Sequence, residues 1–184
     1  MNNRAKQYSN LWLPLIVLAG LATGSLSQAD TRVAVLDFEL NDLTGITPIP
    51  REELERTATL APLLRESLGQ KGYTVIMIRP EEQRRANSGF GYLYDHPDEA
   101  ASLGRRFGAD AVVVGLIHKP SFLFAYLKTR LVSPTAPLGE SVVEIKGSAK
   151  KVTERGIRNL AHQIDRILQQ GQREMGTVTP PTRE

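Results

Sequence analysis

Three carboxylates that follow the first β-like run are the side chains best placed to do chemistry. The stretch is "TRVAVLDFELNDLT", residues 31–44, and the carboxylates are Asp37, Glu39 and Asp42. Because side chains of a strand alternate between its two faces, Asp37 and Glu39 should share a face. Two close carboxylates can hold a hard cation or divide the roles of general acid and general base. These three residues are the ligand-binding candidates.

A structural interpretation of the same carboxylates is preferred. Asp37 would accept backbone N–H groups of the following loop, and Glu39 would be solvated. A metal or hydrolytic site would need further ligands or a nearby histidine. His96, His118 and His162 are distant in sequence from the three carboxylates, and none has a second histidine at i+4. The sequence also contains neither a phosphate-binding GxxxxGK[ST] motif nor a GxSxG motif, and no cysteine. It therefore predicts no catalytic residue, no metal site and no cofactor.

A short aromatic loop is the candidate for contact with a partner. Residues 89–94 read "GFGYLY" and place Phe90, Tyr92 and Tyr94 in a segment with two glycines. Glycine frees the backbone, and aromatic side chains supply a large contact area at low entropic cost. The alternative is that these rings fold back over a sheet edge or a gap in the core.

The apolar patterns predict a single α/β domain. Helical spacing predicts helices over residues 54–68, 97–107 and 152–170, with a helical turn at 80–85 and either a kink or a late start at Pro62. Helix-bearing connections favour parallel neighbours and short turns favour antiparallel ones. We expect a three-layer mixed sheet in the order β-α-β-α-β-β-β-α, with three parallel strands followed by an antiparallel meander. Apolar runs predict the strands at residues 32–38, 73–78, 111–117, 122–132 and 140–146.

The first 29 residues are predicted to be a secretory signal peptide. Arg4 and Lys6 precede a short apolar core at residues 11–19, and a small-x-small site ends at Ala29. Cleavage after Ala29 would leave a domain at residues 30–170 and a disordered tail at 171–184, in the periplasm. The alternative is an uncleaved inner-membrane anchor.

Charge and composition argue against a nucleic-acid partner. The chain has 23 basic and 20 acidic residues, and the predicted leader contains two of the basic ones and none of the acidic ones. The predicted mature chain is therefore nearly neutral, with basic residues scattered among acids. Contact with a membrane is expected only through the signal peptide.

Several segments resemble a bacterial family of secreted proteins of unknown function. They are "RVAVLDFEL", "LLRESLGQKGYTVI", "LGRRFGADAVVVGLIHKPS" and "VVEIKGSAKKVTERGIRNLAHQI". More distantly, the element order and the V-A-V-x-D-F opening are similar to the TolB amino-terminal region and the curli-secretion lipoprotein. The resemblance implies an assembly or scaffolding role in the cell envelope, and an envelope protein as partner, for example in a quinoprotein dehydrogenase system. It implies no catalytic residue, and the chain lacks the lipid-anchor cysteine of the curli relative.

The sequence therefore predicts a periplasmic, non-enzymatic interaction or assembly factor. The competing hypothesis is a small-ligand or metal-binding protein that uses the loop after the first strand. A weaker third hypothesis is a hydrolase without a recognisable motif. A deep polar cleft around Asp37 would favour a ligand, whereas a shallow aromatic patch would favour a protein partner.

Overall fold

The computed structural model describes residues 31–176. The predicted signal peptide and the last eight residues of the predicted tail lie outside this range. The last described helix runs from Lys150 to Gly176, so the first six residues of the predicted tail are helical. Within the described range no helix is long and apolar enough to cross a membrane.

The sheet is mixed, as the sequence predicts. The strands are β1 (Arg32–Val35), β2 (Glu39–Asp42), β3 (Thr74–Ile76), β4 (Ala111–Lys119), β5 (Phe124–Val132) and β6 (Pro137–Lys146). The order across the sheet is β3, β1, β4, β5 and β6, and β2 pairs with the second half of β4. Strands β1 and β3, β1 and β4, and β2 and β4 are parallel, whereas β4, β5 and β6 form an antiparallel meander.

Helices cover both faces of this sheet, which confirms the three-layer α/β fold. The helices are α1 (Arg51–Gly69), α2 (Pro80–Ala86), α3 (Tyr92–Asp95), α4 (Pro97–Arg106) and α5 (Lys150–Gly176). One core cluster joins α1 and α5 to one face, and a second joins α3 and α4 to the other. Side chains of β4 alternate between the clusters, with Val113 and Ile117 in the first and Val112 and Val114 in the second. This alternation explains why the run has no polar face.

The first strand differs from the prediction of one strand over residues 32–38. It breaks after Val35, and β2 begins at Glu39. The N–H of Leu36 still donates to Val113, but the N–H of Asp37 donates to the side chain of Gln83 instead of a strand. The chain therefore stops pairing with β4 at Val113 and pairs with the same strand again from Leu116, closer to its C-terminal end.

Helix α1 is continuous through Pro62 and starts at Arg51, so it begins earlier than the apolar pattern predicts. Pro62 is exposed, while Leu60, Ala61 and Leu64 beside it are buried. The packing of this buried face holds the helix together despite the missing N–H donor.

A polar cluster joins α5 to the start of β3. Asp165 accepts hydrogen bonds from Tyr73 Oη at 2.7 Å and from Lys71 Nζ at 3.2 Å. Burial by itself raises the pKa of the Asp165 carboxyl, but the hydrogen bonds from Tyr73 and Lys71 outweigh it and hold that pKa below its ordinary value. Burial and the Asp165 carboxylate together raise the pKa of Tyr73. This cluster is a polar link between three elements of the fold.

Candidate functional site

The three candidate carboxylates lie at two levels of the sheet. Asp42 lies where β2 and β4 end and β5 begins, and we call this end of the sheet the carboxyl edge. Glu39 begins β2 beside Leu116, in the middle of β4.

Asp37 occupies the link between β1 and β2. Its carboxylate accepts a hydrogen bond from Arg65 Nη2 of α1 at 2.9 Å, and the same guanidinium also donates to the carbonyl of Val35. The backbone of Asp37 pairs with the side-chain amide of Gln83 in both directions. Asp37 thus connects β1 to α1 through its carboxylate and to α2 through its backbone, and not through the loop N–H donors expected from the sequence.

Glu39 ties the aromatic loop to β2. Its two carboxylate oxygens accept hydrogen bonds from Asn87 Nδ2 and from the N–H of Gly91, each at 2.5 Å. Gly91 is the N-cap of α3, with φ of 74°, a left-handed conformation that favours glycine. Glu39 is therefore half-buried and structural, not solvated as the preferred interpretation expected.

The cavity beside Asp37 and Glu39 is small. Its volume is about 190 Å³, and its lining also includes Phe38, Asn87 and three residues of α2, Pro80, Gln83 and Arg84. Typical ligand pockets have volumes of about 300–1,000 Å³. Within residues 31–176 no group of three or more His, Asp or Glu side chains is arranged to hold a metal ion. The surroundings of Asp37 are thus not the deep polar cleft that would favour a ligand.

Asp42 begins a buried chain of charges, and its side chain is 2% exposed. It accepts the N–H of Thr44 at 2.9 Å and lies 3.4 Å from Lys119 Nζ. Lys119 Nζ also contacts Glu53 Oε1 at 3.0 Å, and Glu53 Oε2 contacts Arg56 Nη2 at 2.6 Å. The four side chains of this buried charge chain, Asp42–Lys119–Glu53–Arg56, are each at most 10% exposed.

The charge chain is neutral overall, with two acids and two bases. Burial alone raises the pKa of Asp42. Hydrogen bonding from Thr44 and the charge of Lys119 outweigh that effect and hold the pKa of Asp42 below its ordinary value. Asp42 is therefore ionised at neutral pH and neutralised by Lys119.

Sequence reasoning identified only one of these four residues. Lys119 lies just beyond the strand predicted at residues 111–117, but it is the last residue of β4 and pairs with Asp42 through the parallel register of β2 and β4. The i,i+3 spacing of Glu53 and Arg56 is a recognisable helical pair, and it was the one available signal. The partnership of Lys119 and Glu53 depends on how α1 packs on the sheet, which sequence spacing does not show.

Two neighbouring cavities adjoin the charge chain. One, of about 270 Å³, lies between Ile46, Pro50, Phe122 and the buried Lys119. The other, of about 730 Å³, is a groove between the N-terminal halves of α1 and α5. The two cavities share the lining residues Glu52, Glu53, Arg56 and Ser148.

Arg56 leaves one donor of its guanidinium unused. The Arg56 side chain is 9% exposed, and its Nη1 is buried with no hydrogen-bond partner among the described residues. A buried donor without an acceptor is unfavourable, and a ligand acceptor would relieve it.

Exposed apolar side chains lie on the two segments beside the smaller cavity, residues 43–46 and 122–123. Leu43 is 58% exposed, Ile46 44%, Phe122 61% and Leu123 76%. The Leu43 N–H donates to the carbonyl of Lys119, Ile46 and Phe122 line the cavity, and Lys119 Nζ lies 5.9 Å from the centre of the Phe122 ring. We call Leu43, Ile46, Phe122 and Leu123 the apolar rim.

The aromatic loop candidates separate into two groups. Tyr92 stacks on His96 with ring centres 4.2 Å apart, and the Arg130 guanidinium lies 4.5 Å from the centre of the Tyr94 ring. Both tyrosines are half-buried against the second core cluster. Phe90 is 60% exposed. Of the three residues, Phe90 is the one whose ring is available to a partner.

The chain matches a known protein family over most of its length. The family, DUF3280, is described as "Protein of unknown function (DUF2380)", and its model matches residues 31–164. The chain belongs to this family. The matched residues include every strand, helices α1 to α4 and the first half of α5. No curated protein is similar to this chain at a significant level.

Several solved structures share parts of the fold. Lipoprotein GNA1162 from Neisseria meningitidis is 20% identical with a TM-score of 0.45, and the match covers 73% of this chain and 96% of that one. The LpoB C-terminal domain from Salmonella enterica is 14% identical with a TM-score of 0.41, covering 63% and 82%. A hypothetical protein from Chlamydia trachomatis is 13% identical with a TM-score of 0.43, covering 64% and 73%. These similarities are weak, and no conclusion about this chain depends on them.

Proposed function

We propose that this member of the DUF3280 family is a non-enzymatic interaction or assembly factor of the cell envelope, and that a protein partner docks at the carboxyl edge. The observation that carries the proposal is the apolar rim. Exposed apolar side chains that cluster mark an interaction surface far more often than scattered ones do. Half of the eight large exposed apolar residues in the described range belong to this rim.

The composition of the rim suits a protein interface. Phe122 supplies an aromatic anchor, and the adjoining smaller cavity can receive a side chain of the partner. Beneath the rim, the buried charge chain connects β2, β4 and α1 through short ion pairs. It would hold the rim in place before a partner arrives, which lowers the entropic cost of binding.

The envelope location is supported by the sequence of the first 29 residues. A basic start, a short apolar core and a small-x-small site are the features of a secretory signal peptide. The resemblance to secreted proteins described above supports the same compartment. We therefore expect the partner to be a periplasmic or membrane-associated protein, with a quinoprotein dehydrogenase system as one candidate.

The docking proposal is tested by comparing two double variants in periplasmic extracts. Phe122→Ser with Leu123→Ser removes the most exposed half of the rim. Met77→Ser with Val142→Ser removes two side chains of similar exposure, 64% and 51%, away from the rim. Affinity purification with mass spectrometry should recover a partner with the wild type and the control, but not with the rim variant. Equal recovery with all three proteins, at equal melting temperature, would refute docking at the rim.

Ligand binding is the second candidate function, because Arg56 lines the smaller cavity, together with Ile46 and Pro50 of the segment after β2, and its buried Nη1 has no hydrogen-bond partner among the described residues. An anionic or carbonyl group is the acceptor that this donor lacks. Calorimetric titration with acetate and succinate should release heat with the wild type and not with Arg56→Lys. This variant keeps the positive charge but loses the planar guanidinium and its fixed set of N–H donors. A divalent-metal titration, with Asp37→Asn as control, tests the metal form of this hypothesis; zero heat rejects it.

A further inference from the structure

Helix α5 carries a line of cations on its exposed face. The line consists of Lys151, Arg155, Arg158 and Arg166, and Arg173 continues it. His162 lies on the same face, but its Nδ1 accepts a hydrogen bond from Lys71 Nζ at 3.0 Å, so it is not one of the cations. At 3.6 residues per turn the five cationic positions fall within an arc of about 80°. At about 1.5 Å per residue the line is about 33 Å long. We call these five residues the basic stripe.

The stripe is free of exposed acids along its length. Between residues 150 and 173 the exposed residues of α5 include no Asp or Glu. The two acids of this segment are engaged elsewhere: Asp165 with Lys71 and Tyr73, and Glu154 beside Lys150. Among the described residues, Lys151, Arg155, Arg158 and Arg166 have no acidic group within ion-pair distance.

Neither core packing nor an even distribution of charge over the surface explains why these cations lie on one helix face. The apolar face of α5 is already buried in the core through Ile157, Leu160, Ile164 and Leu168. The chain from Asp30 onward is nearly neutral, so concentrating these cations on one helix leaves the rest of the molecule net negative. The neighbouring helix α1 exposes three acids, Glu52, Glu55 and Glu66. Glu55 is paired with Arg51 of the same helix at 2.7 Å, and among the described residues none of the three lies within ion-pair distance of the first four cations of the stripe.

The start of the described chain lies at the same helix. Gln172 of α5 donates a hydrogen bond to the Thr31 hydroxyl, and Arg173 follows directly. The apolar run at residues 11–19 precedes Thr31 by about a dozen residues. If the leader is retained as the inner-membrane anchor, which is the alternative to cleavage, it tethers this end of α5 to the bilayer.

We propose that the basic stripe of α5 docks on an anionic phospholipid surface. The occupant is a bilayer because a straight line of cations along one exposed helix can meet a flat layer of phosphate headgroups at all positions together. The contact is electrostatic and lies at headgroup level, because the apolar face of α5 stays in the core. The docking is separate from the rim, which lies at the carboxyl edge.

The test compares binding of the full chain to two kinds of vesicle, pure phosphatidylcholine and phosphatidylcholine with one third phosphatidylglycerol. The apolar run contributes to both, so the ratio of the two partition coefficients isolates the charge effect. Removing one cation near an anionic surface lowers binding about five-fold. Arg155→Gln, Arg158→Gln and Arg166→Gln together should therefore reduce the ratio about 100-fold, and raising NaCl to about 0.5 M should reduce it in the wild type.

A control variant locates the effect. Arg51→Gln, Arg84→Gln and Arg85→Gln remove three cations that are at least 70% exposed on other helices. This control should keep most of the wild-type ratio.

Two outcomes would overturn the proposal. The first is a triple stripe variant with the wild-type ratio and an unchanged melting temperature. The second is a wild-type ratio near one, together with stripe-dependent binding to immobilised polyglutamate. That result would assign the stripe to an acidic protein segment.

Discussion

Replacing Lys119 by Met should destabilise the fold strongly, although the side chain has similar length and volume. Lys119 is 10% exposed and lies 3.0 Å from Glu53 and 3.4 Å from Asp42. After the replacement Glu53 retains Arg56 at 2.6 Å, whereas Asp42 loses its ion-pair partner. The variant would therefore bury one carboxylate without a compensating charge.

The expected loss follows from this geometry. Removing one partner of a buried pair costs about 3–5 kcal/mol, much of it because the other charge is left uncompensated. Since Glu53 stays paired, we expect the lower end, about 3 kcal/mol of unfolding free energy. For a domain of this size that corresponds to a fall in melting temperature of about 6–12 °C. The matched control is Lys146→Met, which removes an 84% exposed lysine near Glu144 and should cost under about 1 kcal/mol.

The pH dependence identifies the cause. In the wild type the lowered pKa of Asp42 contributes stability that is present above the unfolded pKa of about 3.9 and is lost as the pH falls through the folded pKa. Without Lys119, Asp42 should become protonated at a higher pH than in the wild type. Protonation removes the cost of burying its carboxylate without a compensating charge. The loss of unfolding free energy caused by Lys119→Met, measured by urea unfolding, should therefore be smaller at pH 4.5 than at pH 7.5. A cost under 1 kcal/mol at pH 7.5, or one independent of pH, would refute the reasoning.

Three further perturbations probe the fold and the loop. Asp165→Asn should flatten the loss of stability between about pH 5 and pH 3, because a carboxylate with a lowered folded pKa stabilises above its unfolded pKa of about 3.9. Urea unfolding across that range measures the slope, and an unchanged slope would contradict the prediction. Gly104→Ala should cost about 1–3 kcal/mol, because its Cβ would lie 2.1 Å from a valine methyl group of β4. Gly69→Ala is the control, because an added Cβ would have no atom within 4 Å, and it should change stability by under about 1 kcal/mol. Equal melting temperatures for the Gly104 and Gly69 variants would contradict the close contact at Gly104. Tyr94→Ser should cost about 2 kcal/mol through lost packing, whereas Phe90→Ser, at a 60% exposed residue, should change stability by under about 0.5 kcal/mol. If affinity purification loses a partner with Phe90→Ser while the melting temperature is unchanged, the Phe90 ring contacts that partner. Equal melting temperatures for the Phe90 and Tyr94 variants would show that Tyr94 is not held in the core.

The candidate site shows where sequence reasoning succeeded and where it failed. Asp42 was identified because acids that follow a buried strand are conspicuous. Lys119 was missed because a lysine before a proline and a serine resembles a turn, and its burial becomes evident only when β2 lies beside β4. Asp37 was expected to hold its own loop, but the donor is Arg65 on the helix that packs beside it.

Local pattern was sufficient for the fold class of this protein. Apolar runs without a polar face require a sheet covered on both sides, and connection lengths separate the parallel half from the antiparallel half. These properties depend on neighbours in the chain, so the sequence determined them by itself. The splitting of the first strand, the neutral chain from Asp42 to Arg56 and the apolar rim depend on residues far apart in sequence. Tertiary structure decided them, because ion pairing and burial are set by distances in space.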